Sequence, residues 1–170
     1  VKLEKEGEVV VWSPDGQLVA IADGDQYLHI LDAKDGKEVR KITVAGSRHT
    51  PVIFSTDGKI LISGGDQHLH LHDVETGKRI TPRLGTPVAP NGFDILAVGA
   101  NGRKVYSSVG DDLHVWDLDQ KETSKVIEEN QTIYSLAASP DGKLLGIGME
   151  NGEVKLRKAV SYTHLRAHET

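Results

Sequence analysis

Four copies of one turn, set at nearly equal intervals, constrain this chain more than any other feature. WSPDGQLVAIADGDQYLHILD (12–32), FSTDGKILISGGDQHLHLHD (54–73), VGANGRKVYSSVGDDLHVWD (98–117) and ASPDGKLLGIGMENGEVKLRK (138–158) repeat one pattern. The turn acid or amide recurs at Asp15, Asp57, Asn101 and Asp141, at intervals of 42, 44 and 40 residues. The closing position recurs at Asp32, Asp73, Asp117 and Lys158, at intervals of 41, 44 and 41. A period of this length means one supersecondary unit used again and again, each burying its apolar face against the next.

Inside each copy the local chemistry is that of strands. An apolar segment (EVVVWS, PVIFS, FDILAVG or TIYSLAAS) runs into an Asp-Gly or Asn-Gly turn, a strong short-range hairpin signal. A second strand follows (QLVAIA, KILIS, RKVYSSV or KLLGIG), then a tight acidic or glycine-containing turn. The third strand is YLHILD, HLHLHD, LHVWD or EVKLRK. KDGKEV and ETGKRI then turn into a fourth, as does the less typical DQKETS. No stretch carries a convincing helical period, so the chain is expected to be all-β.

Four-stranded units at this period resemble WD40 repeats, the blades of a β-propeller. The marks are the SPDG turns at 13–16 and 139–142, the Trp116-Asp117 pair, DVETGK at 73–78, and the acids Asp25, Asp66 and Asp111 in the second-to-third strand turns. Leu31, His72 and Arg157 stand where the other copies would carry the Trp, and no Gly-His dipeptide precedes the first strands. The resemblance implies a partial propeller over 1–159, with blades near 7–44, 50–83, 93–127 and 132–158: three complete and three strands of a fourth. An unclosed stack leaves edges and blade faces through which the chain is expected to self-associate. The absence of an initial Met points to a fragment or a processed chain. Residues 160–170 (VSYTHLRAHET) break the repeat and resemble the translation of a sequencing adapter joined to a truncated transcript, so His164 and His168 are not read as a metal pair.

His68, His70 and His72 invite a metal reading, because alternate residues of a strand share a face. Geometry opposes it. At ~3.3 Å per residue His68 and His72 start ~13 Å apart, too far to share one ion at bond lengths of ~2.0–2.1 Å. His70 also falls at the repeat position of His29 and His114, which lie on other blades. The histidines read as repeat residues, and as a group expected to weaken their blade near pH ~6 as they charge.

Composition closes off further classes. The 170 residues contain no Cys, which excludes disulfides and thiolate chemistry. A net charge of −5 without a Lys/Arg block opposes phosphate-backbone binding. No apolar run approaches the ~20 residues of a membrane span. The glycine-rich turns lack a phosphate-loop pattern and are crowded with acids. No cofactor, metal or catalytic residue is expected.

By the resemblance, the fourth-to-first and second-to-third strand loops share the face used for partners. They carry Asp23, Asp25, Asp66, Asp111, Asp112, Glu128, Glu129 and Glu150 against one base, Arg48, with His49 beside it. Such a field attracts basic protein segments and repels nucleic acid. The chain is read as a non-catalytic intracellular scaffold for protein–protein interaction. Partner contacts are expected at Arg48, His49, Gln26, Gln67, Asn130 and Gln131, and structural roles at Asp25, Asp66, Asp111, Trp116 and Asp117. The alternative is part of a propeller enzyme of lactonase or quinoprotein kind, with its site at the central channel.

Overall fold

The computed structural model describes residues 7–23, 26–44, 50–65, 68–84, 95–99, 102, 104–118 and 122–159. Blade 1 contains β1 (Gly7–Trp12), β2 (Leu18–Asp23), β3 (Tyr27–Asp32) and β4 (Glu38–Thr43). Blade 2 contains β5 (Val52–Phe54), β6 (Ile60–Gly65), β7 (His68–Asp73) and β8 (Arg79–Leu84). Blade 3 contains β9 (Ile95–Val98), β10 (Lys104–Val109), β11 (Asp112–Asp117) and β12 (Glu122–Glu128). Blade 4 contains β13 (Ile133–Ala138), β14 (Leu144–Met149) and β15 (Val154–Lys158). Each blade is an antiparallel meander with its strands in chain order. No helix occurs among the described residues.

The first hairpin turns of blades 1, 2 and 4 are built by their own side chains. In blade 1 the Ser13 hydroxyl donates to Asp15 Oδ1 (2.6 Å) and accepts from the Leu18 amide (2.9 Å), while Asp15 accepts from the Gln17 amide (3.0 Å). Ser55–Asp57 and Ser139–Asp141 repeat the arrangement. Gly16, Gly58, Gly102 and Gly142 close these turns at φ 65–71°, where a Cβ would be strained. The serine and amide donors hold Asp15, Asp57 and Asp141 below the usual carboxylate range.

First strands stack along the chain, β1 on β5, β5 on β9 and β9 on β13, which is the radial order of a propeller. Three apolar layers join the blades. Ala20, Leu28 and Ile30 meet Val52, Phe54 and Leu61 between blades 1 and 2. Ile62, Leu69 and Leu71 meet Leu96, Val105 and Trp116 between blades 2 and 3. Tyr106, Leu113 and Val115 meet Ile133, Leu145 and Ile147 between blades 3 and 4.

The third strands β3, β7 and β11 have their four central residues buried, so both faces are core. His70 and His72 are buried along with Leu69 and Leu71, because blade 1 covers one face of β7 and blade 3 the other. Alternation in a single strand shows two faces, but not that each is covered by a neighbouring blade.

Candidate interaction face

Between blades 3 and 4 the loop rim lies wholly among the described residues. Residues 129–132 leave β12 and enter β13 under three backbone hydrogen bonds. The Glu129 amide donates to Asp111 O (2.9 Å), the Ile133 amide to Gly110 O (2.9 Å) and the Glu150 amide to Thr132 O (2.9 Å). The loop is thereby tied to the β10–β11 turn on one side and the β14–β15 turn on the other. This brings Asp111, Asn130, Gln131 and Glu150 onto one stretch of rim, all exposed, with Glu128 exposed and Asp112 half-buried beside them.

Two of the acids assigned to this face turn inward. Glu129 is buried and pairs with Arg157 (Nε–Oε1 2.5 Å) and Lys155 (Nζ–Oε2 3.3 Å) of β15. Burial alone would raise its pKa; the guanidinium and ammonium outweigh burial and hold it below the ordinary glutamate value. Asp23 is also buried, accepting from the Tyr27 amide (2.9 Å) and lying 2.9 Å from His29 Nε2. Glu38 takes the other ring nitrogen of His29 at 2.5 Å. Burial opposes the charged imidazole, but the two carboxylates prevail and raise the His29 pKa. These two acids fasten the blades rather than supplying outward charge.

Gln26, Asn130 and Gln131 are exposed on the rim, Gln26 apart from the other two on blade 1. Gln26 and Asn130 hold positive φ (71° and 60°), so the backbone makes its own demand at both positions. Sequence reasoning missed that demand. Asn is a residue that tolerates this region, so a signal existed at 130, whereas Gln26 gave none. Asp25, Arg48, His49, Asp66 and Gln67 lie outside the described residues, as does the segment 160–170.

The structural positions are clearer. Trp116 is buried and its indole donates to Ser107 Oγ (2.8 Å), with His114 stacked on it at 6.1 Å. The indole thereby ties the third strand of blade 3 to its second. Asp117 is half-buried at the end of β11. Among the described residues no three His, Asp or Glu side chains converge as a metal site. No helix among the described residues is long and apolar enough to cross a membrane.

The comparisons agree with this architecture. Residues 2–54 and 90–170 match the family described as Anaphase-promoting complex subunit 4 WD40 domain. The chain is 34% identical over 65 residues to "Cell division cycle 20.6, cofactor of APC complex" of Arabidopsis thaliana, covering 36% of this chain and 15% of that protein. Among solved structures, Kuenenia stuttgartiensis hydrazine synthase superposes with a TM-score of 0.78 at 18% identity, over 93% of this chain and 47% of that one. This last likeness concerns the fold alone. The chain spans well under two thirds of either relative's length. With the family match covering more than half of it, the chain belongs to the WD40-repeat propellers of the anaphase-promoting complex subunit 4 WD40 domain family.

Proposed function

We propose that this chain is a non-catalytic interaction scaffold and that the rim between blades 3 and 4 receives a basic segment of a protein partner inside the cell. The observation that carries the reading is the loop 129–132, pinned by three backbone hydrogen bonds so that Asp111, Asn130, Gln131 and Glu150 are presented in one arrangement. A preorganised polar surface loses little freedom on binding, which favours affinity. Exposed acids at its edge attract lysine- and arginine-rich peptides and repel phosphate backbones. Membership of a WD40 family, and likeness to a protein described as a cofactor of the anaphase-promoting complex, support a scaffold within an assembly. They do not favour the enzyme alternative.

The test is fluorescence anisotropy with a labelled Arg/Lys-rich peptide, at low and physiological salt. Wild type should bind, more weakly as salt rises. A variant carrying Asp111→Asn, Glu128→Gln and Glu150→Gln should bind several-fold more weakly at low salt, with a flatter salt dependence. Equal binding by wild type and variant, or strong salt-sensitive binding to duplex DNA, would sink the proposal.

A further inference from the structure

The third strands of blades 3 and 4 are tied down in different ways. In β11, Trp116 lies opposite Val105 and His114 opposite Ser107; in β15, Arg157 lies opposite Leu145 and Lys155 opposite Ile147. Arg157 therefore stands at the repeat position of Trp116, and Ile147 at that of Ser107. Trp116 bonds to Ser107 within its own blade. Ile147 offers no such acceptor, and both bases of β15 reach out of their blade to Glu129, 26 and 28 residues earlier in the chain. The link that closes blade 3 on itself is replaced, in blade 4, by one that grips the loop of the rim.

Glu129 is the fixed point of that loop. Its carboxylate is buried, with Arg157 Nε on Oε1 and Arg157 Nη2 on Oε2 at 2.9 Å. Two-point contact by a guanidinium fixes the direction of a carboxylate as well as balancing its charge; an ammonium, as a point charge, does only the second. The Glu129 amide is held as well, by Asp111 O. From there the chain turns through the positive φ of Asn130 and returns to the sheet at Ile133. Only residues 130–132 separate Glu129 from Ile133, so a rotation or displacement of Glu129 passes to Asn130 and Gln131, exposed at the tip. Arg157 is the fourth residue of β15 and lies away from the β14–β15 turn that joins the rim.

We propose that Arg157 is a positioning residue for the rim, a role that rests on the rim being the docking site. Through Glu129 it sets where Asn130 and Gln131 stand, and so the affinity for a basic segment, without meeting the segment itself. Packed joints transmit such shifts because they hold discrete arrangements and do not deform continuously. The exposed acids supply the attraction; the buried pair supplies the geometry in which the two amide side chains are offered.

Arg157→Lys, and the double variant Glu129→Met with Arg157→Met, test this on the 170-residue chain. The first keeps the charge and loses the two-point grip. The second replaces the pair by apolar side chains, an exchange that often leaves stability intact. In the free protein both should move the amide resonances of Asn130 and Gln131 and leave those of blade 1 in place. Both should bind the Arg/Lys-rich peptide several-fold more weakly, yet with the salt dependence of the wild type, because Asp111, Glu128 and Glu150 are untouched. Asn130 and Gln131 amides that keep their wild-type resonances in both variants would overturn the inference, whatever the peptide does. So would wild-type affinity in both, or weaker binding with a flattened salt dependence, which would make the effect one of charge and not of position. A wild type that binds no basic peptide overturns the docking reading instead, and the resonances of the free protein tell the two failures apart.

Discussion

His72 is 3% exposed, and neither of its ring nitrogens has a hydrogen-bond partner. Burial first, then His70 and Arg79, lower its pKa to about 4. The unfolded chain therefore takes up the proton near pH 6.5 before the folded one does, and stability falls as pH drops from 6.5 towards 4. The loss is roughly 2–3 kcal/mol over that window. His114 acts in the same direction, its burial outweighing the help of Asp112. His29 acts oppositely: its raised pKa gives a contribution that is complete below pH 6.5 and lost as pH rises through the folded value. The melting temperature should therefore peak near neutrality and fall steadily on the acid side. Ser63 stands where Ser107 does in blade 3 and has no partner for its hydroxyl, while His72 stands where Trp116 does. His72→Trp should restore the indole–serine bond, raise the melting temperature, and flatten the profile between pH 4 and 6.5. Superimposable profiles for wild type and variant would contradict this account of His72. The density of histidines was legible in HLHLHD, but its sign was not. His29 and His70 fall at the same repeat position, and Glu38 and Asp23, which decide the matter for His29, are nine and six residues away.

The turns and strands were legible because their causes are local. Serine, aspartate and glycine within four residues supply the acceptors, donors and positive φ that the hairpin needs. Ser55 shows how far the element depends on them: its hydroxyl both donates to Asp57 and accepts from the Ile60 amide. Ser55→Ala should cost about 1 kcal/mol, read as a lowered denaturation midpoint without a change of slope. The joints between elements were not legible. Glu128 and Glu129 look alike in sequence, yet one is exposed and the other is buried against Arg157, 28 residues further on. Glu129→Gln should destabilise the chain by about 2 kcal/mol, less than the ~3–5 expected for a wholly buried pair, since Arg157 and Lys155 each remain about a third exposed. Hydrogen exchange should quicken in β13–β15 more than in blade 1. A uniform change across all blades would contradict a joint between blades 3 and 4. Lowering the pH through the depressed Glu129 pKa should weaken the same joint in the wild type, because its stabilising charge is then lost.

At the scale of the molecule, the period of 40 to 44 residues predicted four stacked sheets, and the stacking of β1, β5, β9 and β13 follows it. The charge of the loop face was only partly legible. Counting acids in loops overstates the field, because burial of Asp23 and Glu129 is a tertiary event that loop position does not reveal. Among the described residues, the acids that stay exposed on this face are Asp111, Glu128 and Glu150, around a pinned loop, with Asp112 half-buried beside them. Amide chemical-shift mapping during titration with an Arg/Lys-rich peptide tests that patch as the docking site most directly. Saturable shifts are expected at Asp111, Asn130, Gln131 and Glu150, with the SPDG turns on the opposite rim unmoved. Shifts concentrated on those turns, or spread evenly over all four blades, would contradict it.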